Sequence, residues 1–160
     1  MRAGRPDSGR CCCPPCALAE RDDDYATAVA HETLRLRPSV VDAVRLAAAP
    51  TALAEVDVAT GTLVMAAPLL VHLDPAVHER PHVFRPERFL HDRPAPGSFI
   101  PFGGGSRRCL CSALAMLQLR TVLPAIVRAT RLTTARRLPE SPRLHGTAVR
   151  PAAGAQVVLR

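Results

Sequence analysis

The feature that most constrains the fold is a glycine run followed by a cysteine and then by a helical pattern. Residues 102–111 read Phe-Gly-Gly-Gly-Ser-Arg-Arg-Cys-Leu-Cys. Apolar residues then recur at the three- and four-residue intervals of a helix, at Leu110, Ala113, Leu114, Leu117, Ala125 and Ile126. Gly103 and the glycines after it allow backbone angles that can turn amides toward the sulfur of Cys109. The pattern predicts a tight loop that presents one thiol at the start of a helix.

A thiol in this position is suited to bind a metal ion as its anion. Unpaired backbone N–H groups and the positive end of the dipole at a helix N-terminus favour a thiolate. Arg107 and Arg108, just before Cys109, add positive charge. A single cysteine ligand is typical of the iron in some haem proteins. The alternative is a structural cysteine in an ordinary glycine-rich turn.

The segment resembles the haem-ligand loop of the cytochrome P450 family, Phe-x-x-Gly-x-(Arg/His)-x-Cys-x-Gly. The positions that match in order are Phe102, Gly105, Arg107 and Cys109. Cys111 departs from the pattern, because it stands where the family has glycine. The resemblance implies that Cys109 is the axial ligand of haem b iron and that Arg107 pairs with a haem propionate. It also assigns Phe102, Gly103 and Gly105 to the cofactor loop.

Two other segments resemble the same family. Residues 32–35 read Glu-Thr-Leu-Arg, which fits the Glu-x-x-Arg of the family's helix K and places both charges on one helix face. Residues 86–89 read Pro-Glu-Arg-Phe, as in the family. By that resemblance Glu32, Arg35 and Arg88 form a buried charge network that holds the fold around the cofactor. Arg45 lies where many members place a propionate-binding arginine, and an ordinary strand-edge charge is the alternative.

The resemblance implies a mainly α fold with small antiparallel β elements, the C-terminal portion of the cytochrome P450 fold from helix K onward. We expect a helix over residues 25–38 and another after Cys109, with strands over residues 40–46, 53–58 and 63–71. Thr60-Gly61 is the expected turn between the last two of these strands. Two further strands are expected at residues 142–146 and 154–159, around a Pro-Ala-Ala-Gly turn. The 48% apolar content predicts a moderate core.

The resemblance covers only the proximal part of a P450. The family's distal, oxygen-activating helix carries (Ala/Gly)-Gly-x-(Asp/Glu)-Thr, and nothing like it occurs in residues 1–30. We therefore expect a chain that lacks the N-terminal helices, with residues 23–160 forming a truncated haem-thiolate domain. When complete, such a protein would be a monooxygenase that oxidises an apolar small molecule. The alternative is a non-catalytic remnant, and we expect the isolated chain to be inactive.

Residues 1–22 are rich in cysteine, proline and arginine and are expected to form a disordered lead. The lead contains Cys11, Cys12, Cys13 and Cys16. Adjacent cysteines cannot all ligate one tetrahedral metal ion without backbone strain, and no secretory signal favours disulfides. A small metal-binding or interaction protein that uses these cysteines is a third, weaker interpretation.

The charge pattern argues against nucleic acid. The net charge of +7 rests on 21 basic residues, all of them arginine, and they are scattered rather than clustered on one face. Arginine without lysine suggests GC-rich coding, as in actinobacteria. By resemblance, Arg108, Arg120 and Arg128 could face an acidic, ferredoxin-type redox partner, and solvated helix arginines are the alternative. With no signal peptide and no evident membrane span, we expect a cytoplasmic protein.

One segment matches a zinc-protease pattern but lacks the helical context that the pattern requires. Residues 78–82 read His-Glu-Arg-Pro-His, which matches His-Glu-x-x-His. That chemistry requires a continuous helix with both imidazoles on one face. Pro81 removes a backbone donor and disfavours helical angles at Arg80. We therefore expect no zinc hydrolase here.

Overall fold

The structure is a computed structural model that describes residues 23–91, 94–134 and 140–159. The expected lead, residues 1–22, and its cysteines lie outside the described residues. Within the described ranges the α-helices are α1 (Asp23–Leu36), α2 (Pro68–His72) and α3 (Ser112–Ala129). Short 3₁₀ helices span Pro86–Phe89 and Gly105–Arg107. The strands are β1 (Ala43–Leu46), β2 (Thr51–Leu53), β3 (Val56–Val58), β4 (Leu63–Ala66), β5 (Leu132–Thr134), β6 (Pro142–His145), β7 (Ala148–Pro151) and β8 (Val157–Leu159).

The strands form small antiparallel pairs, which confirms the expected combination of helices with small sheets. Within the described ranges the pairs are β1 with β4, β2 with β3, β5 with β8 and β6 with β7. In the first pair Arg45 lies opposite Val64. The backbone N–H of Val149 in β7 donates to the carbonyl of Ser39 at 2.6 Å, which ties the C-terminal hairpin to the segment after α1.

Two of the expected strands are wrong in detail. The strand expected over residues 53–58 is a hairpin, because the chain reverses at Ala54, whose φ is +51°. The strand expected over residues 63–71 ends at Ala66, because Pro68 occupies the first turn of α2, where its missing N–H costs nothing. Gly61 does form a turn, with φ of +81°. The strand that follows this turn pairs with β1, however, and not with β3.

The C-terminal strands also pair differently from the expectation. The turn over Pro151 to Gly154 is present, but the strands on its two sides are not partners. Instead β6 pairs with β7 across Gly146, whose φ is +62°. The last strand, β8, pairs with β5 from before the hairpin. Sequence reasoning missed both β5 and β7.

Helix α1 provides most of the core. Asp23 and Asp24 lie in its first turn and Arg35 in its last, which suits the helix dipole. Its buried apolar residues pack with the partly buried Leu90 and Val127; they are Tyr25, Ala26 and Val29. Apart from several prolines, few other apolar side chains are buried in the described part of the chain, namely Ala28, Ala30 and Val58. The core is therefore smaller than the composition predicts.

Helix α3 leaves much of its apolar surface exposed. Leu114, Leu117 and Val122 are each at least half exposed. Pro124 lies inside the helix and is buried, while Arg120 interrupts the apolar sequence. By length and composition alone, α3 is also the one described helix that could cross a membrane. Such a helix is weak evidence for a span, so cytoplasmic location stays a prediction.

A buried carboxylate joins α1 to the 3₁₀ helix Pro86–Phe89. Glu32 and Arg35 are both fully buried and form a two-point pair, Nε to Oε2 and Nη2 to Oε1, each at 2.8 Å. The Nε atom of Arg88 lies 3.1 Å from Oε2 of Glu32. This second contact is an ion pair without hydrogen-bond alignment, because Arg88 Nε has no hydrogen-bond partner among the described residues. We call Glu32, Arg35 and Arg88 the charge network.

The charge network also holds backbone from several segments. Glu32 Oε1 accepts the N–H of Arg85 at 2.8 Å. Arg35 donates to the carbonyl of His72, at the end of α2, at 2.6 Å. Arg88 donates to the carbonyl of Glu79 at 3.1 Å. One buried cluster of charges therefore fixes the relative positions of α1, α2 and the chain over residues 79–88.

Replacement of the central carboxylate should be costly. Glu32→Gln leaves Arg35 and Arg88 without their counter-charge in a buried site, and we expect the free energy of unfolding to fall by about 3–5 kcal/mol. Glu79→Gln is the matched control, because Glu79 is exposed and solvent screens its ion pairs with Arg80 and Arg85, so its replacement should cost far less than that of Glu32. Urea denaturation of both variants measures the difference. Equal losses would contradict a structural role for the network.

Candidate functional site

The cysteine loop closes on itself through backbone hydrogen bonds. The N–H of Cys109 donates to the carbonyl of Phe102 at 2.9 Å, which joins the two ends of the loop. Gly103 and Gly105 have φ of +70° and +63°, in the left-handed region where a side chain is strained. The loop therefore uses two of its glycines for conformation, as the sequence indicates.

The two cysteines occupy different structural positions. Helix α3 begins at Ser112, so Cys109 lies in the loop three residues ahead of the helix, in agreement with the predicted position between the glycine run and a helix. Cys111 precedes the first helical residue and has φ of −86°, an angle that any L-residue adopts. Cys111 in place of the family glycine therefore causes no backbone strain. Both thiols are exposed and free.

Cys109 lines a cavity of about 500 Å³, a typical size for a ligand pocket. Two separated segments supply its principal groups: β1 provides Arg45, and the cysteine loop provides both Arg107, at the end of its 3₁₀ helix, and Cys109. The other walls are largely apolar and include Val40, Ala43, Ala66, Pro68, Ile100, Pro101 and Phe102. The same cavity thus joins residues that are 64 positions apart in sequence, from 45 to 109.

The cavity carries more positive than negative charge. Neither Arg45 nor Arg107 contacts a carboxylate within the described residues, and Arg45 donates only to its neighbour's carbonyl, at 2.8 Å. Asp42 is the one acidic residue among the lining residues. Two guanidiniums against one carboxylate would attract an anionic group on a bound molecule.

The donor set of this cavity fits haem. A thiol can ligate the iron, apolar walls can contact a porphyrin, and two guanidiniums can pair with two propionates. The other residues predicted for the cofactor loop are Phe102, Gly103 and Gly105. Phe102 and Gly103 line the cavity. Gly105 shapes the loop through its backbone and is not among the lining residues.

A larger depression, of about 810 Å³, lies beside the charge network. Its charged residues are largely paired with one another or with neighbouring groups. Arg85 binds Glu79 at 2.9 Å, and Glu87 accepts the hydroxyl of Tyr25 at 3.2 Å. A depression with balanced charges is a poorer ligand site than the cavity at Cys109.

The zinc-protease pattern does not form a helix. Arg80 has φ of +47°, outside the right-handed helical region. His78 is buried, and its Nε2 atom donates to the carbonyl of Ser98 at 2.9 Å, whereas His82 is exposed. No group of three or more His, Cys, Asp or Glu side chains that could hold a metal ion is present in the described part of the chain.

Sequence reasoning missed His72. This residue is fully buried at the end of α2, and its ring contacts Phe99 with 5.6 Å between centroids. His31 and Phe89 extend the same aromatic cluster. Burial, and to a lesser extent the nearby His78, lowers the pKa of His72 from 6.5 to about 4. Only its position after a run of apolar residues could have suggested burial.

The arginines proposed to face a redox partner are exposed. Arg108 follows the 3₁₀ helix, and Arg120 and Arg128 lie on α3. Arg120 is also close enough to His31 to contribute, after burial, to lowering the pKa of that histidine. None of the three pairs with a carboxylate within the described ranges.

With these features described, comparison with known proteins assigns the chain to a class. The sequence pattern of the family Cytochrome P450 matches residues 21–159. The chain belongs to the cytochrome P450 family, as the resemblance in residues 102–109 predicts. Members of this family carry haem.

Curated relatives come from mycobacteria. Cytochrome P450 135B1 of Mycobacterium tuberculosis (strain H37Rv) is 37% identical over 138 residues, which cover 86% of this chain and 29% of the relative. Cytochrome P450 137 of the same strain is 40% identical over 116 residues, 72% of this chain and 24% of the relative. The chain therefore spans less than a third of the length of these relatives.

Solved structures of the family match the fold. A 6-coordinated cytochrome P450 from Thermus thermophilus superimposes with a TM-score of 0.77 at 31% identity, over 92% of this chain and 39% of that one. CYP175A1, from another strain of the same species, gives 0.78 at 32% identity, over 92% and 37% of the two chains. The predicted fold class is therefore confirmed for this portion of a P450.

The buried His72 should make the protein less stable in mild acid. Its pKa is about 4 in the folded state and about 6.5 in the unfolded chain, so between these values the unfolded state binds the proton. Stability is full above about pH 6.5 and should fall by up to about 3 kcal/mol as the pH drops to about 4. Urea midpoints across this range measure the slope, and His72→Gln should reduce it. An unchanged slope in that variant would contradict the assignment.

Proposed function

We propose that this chain supplies the thiolate side of the haem site of a cytochrome P450 monooxygenase, with Cys109 as the axial ligand of haem b. The observation that carries the proposal is the meeting of Cys109, Arg45 and Arg107 in one cavity. Two separate segments, β1 and the cysteine loop, provide these groups, and each group matches a different part of the cofactor. The full cofactor loop would comprise Phe102, Gly103, Gly105, Arg107 and Cys109.

Each residue would have a distinct task. Bound haem would supply the oxygen chemistry that inserts one oxygen atom into an apolar small molecule. Cys109 would donate its anionic electron pair to the iron, and the closed loop would fix the direction of its side chain. Arg107 and Arg45 would pair with the two propionates and thereby set the orientation of the cofactor. The charge network would act at a distance, by holding the elements that carry these groups.

Electrons for this chemistry would come from an acidic, ferredoxin-type partner. Arg108, Arg120 and Arg128 are exposed on the loop and α3, so a surface of complementary charge could reach them. Complementary charge speeds encounter more than it raises affinity. We place the protein in the cytoplasm and infer no role for nucleic acid.

A second candidate function is a non-catalytic remnant of a P450. One observation favours it: the apolar side chains of α3 are largely exposed. In this case the chain would keep its charge network and local fold without holding haem through Cys109.

Replacement of Cys109 separates the two candidates. We expect the full chain, titrated with hemin and then reduced under carbon monoxide, to give the red-shifted Soret band of thiolate ligation. Cys109→Ala should lose that band, whereas Cys111→Ala, the matched control two residues away, should keep it. A chain that binds hemin without this band, or equally well in all three forms, would support the remnant.

Replacement of the cavity arginines tests propionate binding. Arg107→Gln removes a charge-assisted hydrogen bond, so hemin affinity should fall about tenfold or more. Arg45→Gln should have a similar effect if Arg45 binds a propionate and no effect if it is a strand-edge charge. Arg143→Gln is the control, because Arg143 is exposed on β6 and outside the cavity. Hemin with esterified propionates should bind wild type and Arg107→Gln alike; a persisting difference would contradict the pairing.

A further inference from the structure

We propose that His72 is a positioning residue for the cysteine loop, acting through the backbone N–H of Ile100. The inference deepens the proposed function, and it rests on that function only in its last link, from the loop to haem. Ile100 is the residue from which the loop departs, and it also lines the cavity. Its N–H donates to His72 Nε2 at 3.0 Å, across 28 residues of sequence.

A short path of hydrogen bonds leads from Ile100 to the thiol. The carbonyl of Ile100 accepts the N–H of Gly103 at 3.0 Å, which sets the first turn of the loop. Phe102, within that turn, accepts the N–H of Cys109 at 2.9 Å. The two backbone groups of Ile100 lie on successive peptide groups, so His72, by holding the N–H, fixes the position of the residue whose carbonyl starts the loop. The loop closure then determines where Cys109 lies.

The other side of His72 is fixed by the charge network. Arg35 donates to the carbonyl of His72 at 2.6 Å, and Arg35 is itself bound at two points by Glu32. His72 is thus a bridge with its backbone bound to the network and its ring bound to the loop. This arrangement connects the buried charges to Cys109 without any direct contact between them.

The ring must be a neutral imidazole of one tautomer to do this. Because Nε2 accepts from Ile100, the proton lies on Nδ1, a buried atom without a hydrogen-bond partner among the described residues. An unpaired buried donor destabilises the folded state, and an apolar side chain of similar size would pack without this cost. Packing alone therefore does not explain a histidine at this position. His78 has the opposite role, since its Nε2 donates to the carbonyl of Ser98 in the same segment.

The experiment compares variants that differ in the acceptor they offer. Gln at position 72 can place its amide oxygen near the position of Nε2, whereas the shorter Asn and the apolar Leu cannot. His31→Leu is the matched control, because His31 packs on the same Phe99 ring, with 5.3 Å between centroids, but makes no hydrogen bond to Ile100. Amide hydrogen exchange of the full, haem-free chain is measured in the loop and, as an internal reference, in α1.

We expect exchange at Ile100, Gly103 and Cys109 to become about two- to tenfold faster in His72→Leu and His72→Asn, as for the loss of one hydrogen bond. The rates should return toward wild type in His72→Gln and stay unchanged in His31→Leu, with α1 unaffected throughout. If His72→Leu fails to fold, the comparison of Asn with Gln decides. Faster exchange at Ile100 alone, or equal rates in the Asn and Gln variants, would overturn the proposal.

A second readout connects the loop to the cofactor. After hemin loading, the fraction of thiolate-type ferrous-carbonyl spectrum should fall in His72→Asn and recover in His72→Gln. The hydrogen-exchange result does not depend on haem. A failure of haem binding in wild type would therefore contradict the proposed function, while the exchange rates would still test the role of His72 in the loop. Altered exchange with an unchanged spectrum would overturn the last link alone.

Discussion

The structure depends on one buried carboxylate that two guanidiniums share. Glu32 is fully buried, and burying an ion costs several kcal/mol unless partners satisfy it. Arg35 does so at two points, Arg88 adds a second charge, and the backbone of Arg85 supplies a further donor. Because so few apolar residues are buried in the described part of the chain, this cluster contributes specificity of arrangement that a larger core would otherwise provide. The network selects one relative placement of α1, α2 and the chain over residues 79–88, since any other placement leaves a charge unpaired in a dry environment.

The elements predicted well are those whose signals are local. Helix α1 was expected over residues 25–38 and runs over Asp23–Leu36, because acidic residues start it and Pro38 prevents its continuation. The conformation of the loop closed by Phe102 and Cys109 depends on glycines within the loop itself, so the sequence signals it locally. The strand errors arose where a short apolar run resembles a strand and a helix equally. Pro68 decides the outcome in residues 63–71, and an alanine at positive φ, Ala54, gives no turn signal at all.

Pairings between distant segments could not be read from the sequence. Nothing in Leu132–Thr134 indicates that Val157–Leu159 is its partner, because β pairing is set by the rest of the fold as much as by propensity. The same limit applies to the site. Cys109 and Arg107 were proposed as site residues from a contiguous pattern and Arg45 from family position, but His72 gave no signal, since its proposed role depends on a backbone N–H 28 residues away. Sequence patterns identify chemical groups more readily than the residues that hold them in place.

The arrangement would also make ligand binding in the cavity and folding interdependent. Arg45, Arg107 and Cys109 sit on segments joined mainly by hydrogen bonds and short strand pairs, and many apolar side chains around them are exposed. A ligand that contacts both segments would bind the folded state and not the unfolded chain, so it would stabilise the fold by about 2.7 kcal/mol at a hundred times its dissociation constant. That amount is comparable to the free-energy cost of removing one partner from the buried pair of Glu32 and Arg35. The charge network therefore positions the segments in the absence of a ligand. Contacts between a ligand and the cavity would then add stability that the small apolar core does not provide.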